Sequence, residues 1–260
     1  PYFLPCLFAG VLSATSFLFA LTYLPESLPA DSRTKIDDNA PKGFMRVVKN
    51  LIGVRDLSPG VRTLILVNAL FLLSFTMMHA TFILFTGMEI LNGGLGYDAY
   101  QNGLIFAYVG LVGVIVQGGL IRPLVKRFKP RNLMVMGILI CGIGLAWIPY
   151  LQPTPFAIGL VAMTCIAVGN GLFQPTQNTL LTFEARAQNL DLGRVMGSQE
   201  GFGAMSRVIG PISAGFIWAE TVDGSGLWTY HTVFRICGII MVLAVISQIG
   251  LKLTANEEGE

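Results

Sequence analysis

Charge is what this sequence has least of. Of its 260 residues, 17 are Lys or Arg and 15 are Asp or Glu, so only 12% are charged. A soluble globular domain usually carries about 25%. The net charge of +2 is too small to hold a nucleic acid. Histidine is nearly absent: His79 and His231 lie far apart and join no Ser/His/Asp grouping, so nothing here supports an enzyme. The four cysteines, Cys6, Cys141, Cys165 and Cys237, fall singly in apolar runs, without the spacing of a metal site or a disulfide framework. No cofactor or metal is expected. A basic, cleavable leader is missing as well. The sequence opens on Pro1-Tyr2-Phe3, already inside a hydrophobic run, and reads as the C-terminal part of a longer polypeptide.

Apolar residues are abundant instead, at 53% with a mean hydropathy of +0.65. Seven runs are long enough to cross a hydrocarbon core of ~30 Å at ~20 residues each. They cover residues 2–24, 64–85, 103–124, 133–150, 156–181, 195–218 and 232–251. The expected fold is therefore an all-α membrane protein of seven transmembrane helices in a lipid bilayer. Charge in the connections sets the orientation. Arg33, Lys35, Lys42, Arg46, Lys49, Arg55 and Arg62 lie between the first two runs. Arg122, Lys126, Arg127, Lys129 and Arg131 follow the third, and Arg186 and Arg194 follow the fifth. The alternate connections contain no Lys or Arg, only Glu89 and Asp98, then no charge, then Glu220 and Asp223. By the positive-inside rule the basic loops and the C-terminus are cytoplasmic and residue 1 lies outside, in a cell (inner or plasma) membrane.

The long first connection changes character within itself. Residues 25–41 are polar and flanked by proline, the composition of a flexible connector. Phe44, Val47, Val48, Leu51 and Ile52 then recur at helical spacing beside Lys42, Arg46 and Lys49. That pattern predicts an amphipathic helix lying on the cytoplasmic membrane surface, or packed on the protein itself. The chain thus divides into a leading span (1–24), a cytoplasmic linker (25–61), a six-span bundle (62–253) and a short cytoplasmic tail (254–260).

Polar side chains inside a bilayer face the bundle or a water-filled cavity, so their positions point to the working parts. The fifth run carries Asn170, Gln174 and then Gln177 or Asn178 on one face, with Pro175 loosening the helix beside them. Such a stripe near a helix break suits a substrate cavity at mid-depth; the same amides also serve as hydrogen-bond glue between helices. Thr76 and His79 sit three residues apart in the second run, as cavity lining or as structural groups. The sixth run holds Glu200 and Arg207, either a coupling or gating pair or a structural one. At ~1.5 Å per residue their separation is long for a direct ion pair, so each is expected to meet another helix or to flank a polar cavity. In the same run Gly193, Gly197 and Gly201 recur every four residues, a spacing that lets a neighbouring backbone approach, and Gly210-Pro211 is placed to kink the helix.

Three stretches together carry a family resemblance. Leu24-Pro25-Glu26-Ser27 resembles the LPES/LPET close of a sixth helix. The stretch from Gly119 to Arg131, with Arg122 and Arg127, resembles the C-half copy of a cytoplasmic loop motif, G-x-L-x-x-x-L-x-x-R-x-G-x-R. Gly193-Arg194 through Gly197, followed by Arg207, Gly210 and Pro211, resembles the entry of an eleventh helix ending in R-x-x-G-P. These patterns are similar to the C-terminal half of a major facilitator superfamily transporter, and most closely to drug/proton antiporters of the tetracycline-resistance type. The resemblance spans essentially the whole chain, as helices six to twelve, and makes residues 1–24 the last helix of the N-terminal half. Pro123 stands where the N-half motif has an aspartate and Lys129 where a glycine is usual, so no gating charge relay is carried over. The resemblance implies proton-coupled efflux of a small amphipathic molecule by alternating access, with the N-terminal half of the same protein, the small-molecule substrate and protons as partners. A seven-helix receptor and a non-transporting remnant or assembly subunit are the other readings. No lysine within a span is available to hold retinal.

Overall fold

The computed structural model describes residues 3–24, 53–151, 156–222 and 229–249. No strand occurs among them. Two compact units form, residues 1–43 and residues 44–260. The first contains α1 (Phe3–Tyr23), 21 residues without one buried side chain among those described. At ~1.5 Å per residue its length is about 31 Å, a bilayer core. The linker at 25–41, the amphipathic stretch at 44–52 and the tail at 254–260 lie outside the described residues.

Six helices make up the second unit: α2 (Pro59–Gly87), α3 (Ala99–Arg127), α4 (Pro130–Trp147), α5 (Phe156–Ala187), α6 (Leu192–Val222) and α7 (His231–Ile246). Their ends follow local chemistry. Ser58 caps α2 by accepting from the Val61 amide at 3.3 Å, and Pro59 occupies the first turn, where no amide partner is needed. Asp98 and Gln101 form a reciprocal capping box at the start of α3, with bonds of 2.7 and 3.0 Å. Between these two helices the chain turns through Gly93 and Gly96, at φ 94° and 66°, a region that favours glycine.

Most helices run past the predicted spans, and some of the added turns are buried, as at Val61 in α2 and Ala185 in α5. Five of the seven, α1 to α5, are long and apolar enough to cross a membrane on length and composition alone. The other two differ for physical reasons. α6 has 31 residues but contains Arg194, Glu200, Arg207 and Glu220, while α7 has only 16.

Helix packing in the bundle follows a simple rule. α2 packs on α6 and α7, α5 packs on α3 and α4, and α4 packs on α7. Exchanging the trio α2–α4 with the trio α5–α7 leaves that pattern unchanged, as two three-helix repeats related by a two-fold would. The tightest seam joins α4 to α5. A Cβ at Gly169 would lie 2.5 Å from the Cys141 amide nitrogen and 2.6 Å from the Gly137 carbonyl, so two backbones touch there. Gly144 repeats the contact one heptad on, with the Ala162 carbonyl 2.9 Å from where its Cβ would be. Elsewhere polar side chains clasp helices. Ser74 Oγ donates to the Cys237 carbonyl at 2.9 Å and Cys237 Sγ donates to the Ser74 carbonyl at 3.3 Å, tying α2 to α7. Tyr108 and Thr164 share a 2.7 Å hydrogen bond between α3 and α5. At the centre, Phe71 of α2 stacks on Phe173 of α5 with ring centroids 3.8 Å apart.

α3 is the least enclosed of the six. It contains a π turn, Val116–Leu120, and buried Val116 at its start packs over Gly171 of α5, with Val116 Cγ1 only 2.8 Å from where a Cβ would stand. Pro175 and Pro211 sit inside α5 and α6, which continue through them.

Because the α4–α5 seam has no room for a methyl group, Gly169→Ala should destabilise the protein by about 1–3 kcal/mol. Gly197→Ala, at a position with nothing within 4 Å, should leave it unchanged. Thermal unfolding in detergent measures both, and equal midpoints would disprove the tight seam.

Candidate functional site

Polar side chains gather where α2, α5 and α6 meet. Gln177 of α5 is fully buried, and its Nε2 donates to the Leu64 carbonyl of α2 at 2.6 Å. Gln199 of α6 donates to Asn178 Oδ1 of α5 at 2.9 Å. Ser206 of α6 donates to the Ala69 carbonyl of α2 at 2.8 Å, and Thr76 of α2 lies 3.2 Å from the Ser206 carbonyl. Asn68 stands in the middle of this layer. It is buried, and among the described residues neither its amide nitrogen nor its oxygen has a hydrogen-bond partner. An orphaned buried amide costs about 1–3 kcal/mol, so such a group marks a place where water or a solute belongs.

A glycine lets α6 approach α2 closely beside Asn68: Leu72 Cδ1 lies only 2.9 Å from where a Cβ at Gly203 would stand. A Cβ at Gly203 would stand 3.7 Å from Asn68 Nδ2 and 3.8 Å from Arg207 Nη2. Arg207 is therefore a near neighbour of the buried amide across a missing side chain. Its Nη2 also donates to Glu200 Oε2 at 3.1 Å. This corrects the expectation that the two charges lie too far apart to pair: seven residues return to the same face, and both side chains reach along the helix to close two turns. Arg207 lies midway along α6, about 22 Å from either end at ~1.5 Å per residue.

The pair is not enclosed by the bundle, since Glu200 is 67% exposed and Arg207 48%. It belongs to a stripe of α6 that runs Gly193, Gly197, Glu200, Ala204, Arg207, Pro211 and Gly215, all exposed. Among the described residues no backbone makes the expected close approach here. Nothing lies within 4 Å of a Cβ at Gly197, and only Asp191 approaches Gly193. Gly201 is half-buried. The close contacts fall on the opposite face instead, at Gly203 against Leu72 and at Gly210 against Thr76. They belong there because that is the face α6 turns to α2.

The remaining predicted residues are distributed as follows. Asn170 and Gln174 are half-buried on α5, with no side-chain hydrogen bond among the described residues. Thr76 turns toward α6, whereas His79, one turn on, turns toward α3. Its ring lies 4.8 Å from Phe75 and 6.4 Å from Phe106, beside a cavity of about 80 Å³ also lined by Phe82 and Met163. His79 is thus not brought to the Glu200–Arg207 pair. Of the loop residues, Gly119 lies in the π turn, while Arg122 and Arg127 are exposed near the end of α3. Arg131 donates to the Gln248 carbonyl at 2.6 Å, placing a cation at the C-terminal end of α7, where the helix dipole favours it.

Sequence reasoning missed Asn68, Gln199 and Glu184. Glu184, at the far end of α5, is buried, accepts from Gln188 at 2.6 Å and lies against Gly60 in the first turn of α2. A signal for it existed: Gln177, Leu181, Glu184 and Gln188 continue the buried face of α5 at helical spacing beyond its apolar part. Nearby, Arg194 donates to the Gly53 carbonyl at 3.0 Å and lies 3.8 Å from Asp56, so the start of α6 is tied to the segment before α2.

The family model described as Major Facilitator Superfamily matches residues 4–192. No curated protein and no solved structure gives a significant match. Five apolar helices of membrane-spanning length among the described residues, a bundle whose two helix trios are exchangeable, and a match over most of the sequence lead to one conclusion: this chain belongs to the major facilitator superfamily of membrane transporters.

Proposed function

We propose that the chain is the C-terminal part, helices six to twelve, of a proton-coupled exporter of small amphipathic molecules, related to the tetracycline-resistance type. The observation that carries this reading is the Glu200–Arg207 pair on α6, with Arg207 at the helix's mid-length. A charge at the middle of a membrane helix costs several kcal/mol against lipid. An exposed ion pair there calls for a polar surrounding, so this stripe of α6 faces the substrate cavity and the N-terminal half rather than acyl chains. Asn68, Gln177 and Gln199 line the same wall from inside, with Asn170 and Gln174 along α5.

The chemistry follows from the pair. While Glu200 is ionised it holds Arg207 by a charge-assisted hydrogen bond. Protonation of Glu200 removes the charge and releases the guanidinium toward Asn68 and the cavity. Proton loading and substrate contact then compete for one arginine, which is the condition for exchange of the two across the membrane. Alternating access would carry this wall between cytoplasmic and outer openings as the two halves rock. The basic loops favour a cytoplasmic C-terminus in a cell (inner or plasma) membrane.

Three results are expected. Glu200→Gln should lower proton-gradient-driven flux of a dye and drug panel in vesicles by about tenfold or more, equivalent to roughly 1.4 kcal/mol in the barrier, without loss of folded protein. Unchanged flux across pH would remove Glu200 from the mechanism. Asn68→Leu should raise thermal stability, by about 1 kcal/mol for an orphaned amide removed, while lowering transport; a variant both stable and fully active would make Asn68 a bystander. In a cysteine-free background, Ala30→Cys should react with an impermeant maleimide only after permeabilisation, and Gly224→Cys in intact cells. The reverse pattern would invert the proposed topology.

A further inference from the structure

Away from the polar wall, a groove of about 470 Å³ runs between α4 and α7. Its volume lies in the range of small-molecule sites, ~300–1,000 Å³. Its floor is apolar, formed by Leu139, Ile143, Ile239 and Val242, and Gly142 and Gly238 hollow it out where the two helices pass. One end is chemically different. Arg235, Tyr150 and His231 cluster where α4 finishes and α7 begins. The Arg235 guanidinium stands 5.8 Å from the Tyr150 ring centroid, and the His231 ring 6.0 Å from it.

Two features of that end point to a ligand. Arg235 is exposed and lies one turn inside the start of α7, about 6 Å along the helix, the depth at which a bilayer's headgroups meet its acyl chains. Among the described residues no carboxylate lies within ion-pair distance of it. Tyr150 supports the guanidinium by its ring face and leaves the N–H fork free, and that fork matches the oxygens of a phosphate. A long apolar trough ending in an arginine is the complement of an anionic amphiphile.

We propose that the α4–α7 groove binds one anionic phospholipid, with an acyl chain along Leu139, Ile143, Ile239 and Val242 and its phosphate held by Arg235. The charge complementarity selects the occupant: a zwitterionic lipid offers the same chain, but its choline cation opposes the arginine. This site depends on the membrane placement of the bundle and not on the cargo or the proton coupling.

The test uses the full chain purified in mild detergent, with phosphatidylglycerol, phosphatidylcholine and inorganic phosphate as probes. Retained lipid is counted by native mass spectrometry, beside thermal unfolding. The wild-type protein should retain phosphatidylglycerol several-fold better than phosphatidylcholine and gain stability from it, with no gain from phosphate alone. Arg235→Gln should bring the two lipids to parity, and Arg235→Lys should keep part of the preference. Ala146→Trp, an exposed position on the groove wall, should reduce retention of both lipids. Equal retention of the two lipids by the wild-type protein overturns the proposal without any variant. So does a preference that survives Arg235→Gln, which would assign it to the basic loops. Stabilisation by phosphate alone would show a free-anion site, and displacement of phosphatidylglycerol by a transported compound would show a cargo site; either result overturns the lipid assignment.

Discussion

In hydrocarbon, two leucine-rich helices gain little by meeting, because lipid tails surround their side chains as well as a neighbouring helix does. What holds such helices together is surface fine enough for backbones to touch, together with hydrogen bonds that lipid cannot offer. The Gly137–Gly169 contact supplies the first of these between α4 and α5, and the Ser74–Cys237 exchange supplies the second between α2 and α7. The rest of the bundle depends on them. The seam at Gly169 sets how closely α5 lies to α4 of the other trio, and the same helix meets α2 through Gln177 on Leu64 and Phe173 on Phe71.

The same constraint explains why the polar groups are where they are. Each buried amide or hydroxyl needs a partner, and between α2, α5 and α6 most find one in a carbonyl of the next helix. Asn68 and the Ser198 hydroxyl do not, among the described residues, and Asn68 is the one that lies across Gly203 from Arg207. α6 consequently has two faces with different duties. One is cut away at Gly203 and Gly210 to lie against α2, and the other presents small residues around an ion pair.

Much of the architecture was legible in the sequence because apolar length is a coarse, additive signal. All seven helices correspond to predicted runs, and the charge of Glu200 and Arg207 stood out against an apolar background. Finer features depend on what lies across an interface, which a single chain pattern does not encode. Periodic Gly193 and Gly197 look like a packing motif, yet Gly203 and Gly210, on the other face, make the contacts. The ion pair was misjudged for a related reason: the rise between two Cα positions was counted, and the reach of two long side chains along one face was not. Asn68 escaped notice because one amide in an apolar run carries no pattern. Its meaning comes only from the partners that α5 and α6 give to its neighbours.

The π turn of α3 has a geometric consequence. A turn that accommodates one residue more than an α-turn advances the side chains beyond it by about 100° relative to an unbroken helix. Everything from Ile121 to Arg127, the basic end of α3, is therefore rotated with respect to the apolar part that precedes it. At the start of the turn Val116 is seated over Gly171 of α5. α3 works as a crankshaft with an offset end, and the seat beside its offset, Gly171, belongs to a different helix. Any shift of α5 that unseats Val116 would turn that end around the helix axis, and displacement along α5 would be read out as rotation among the charges at the membrane surface.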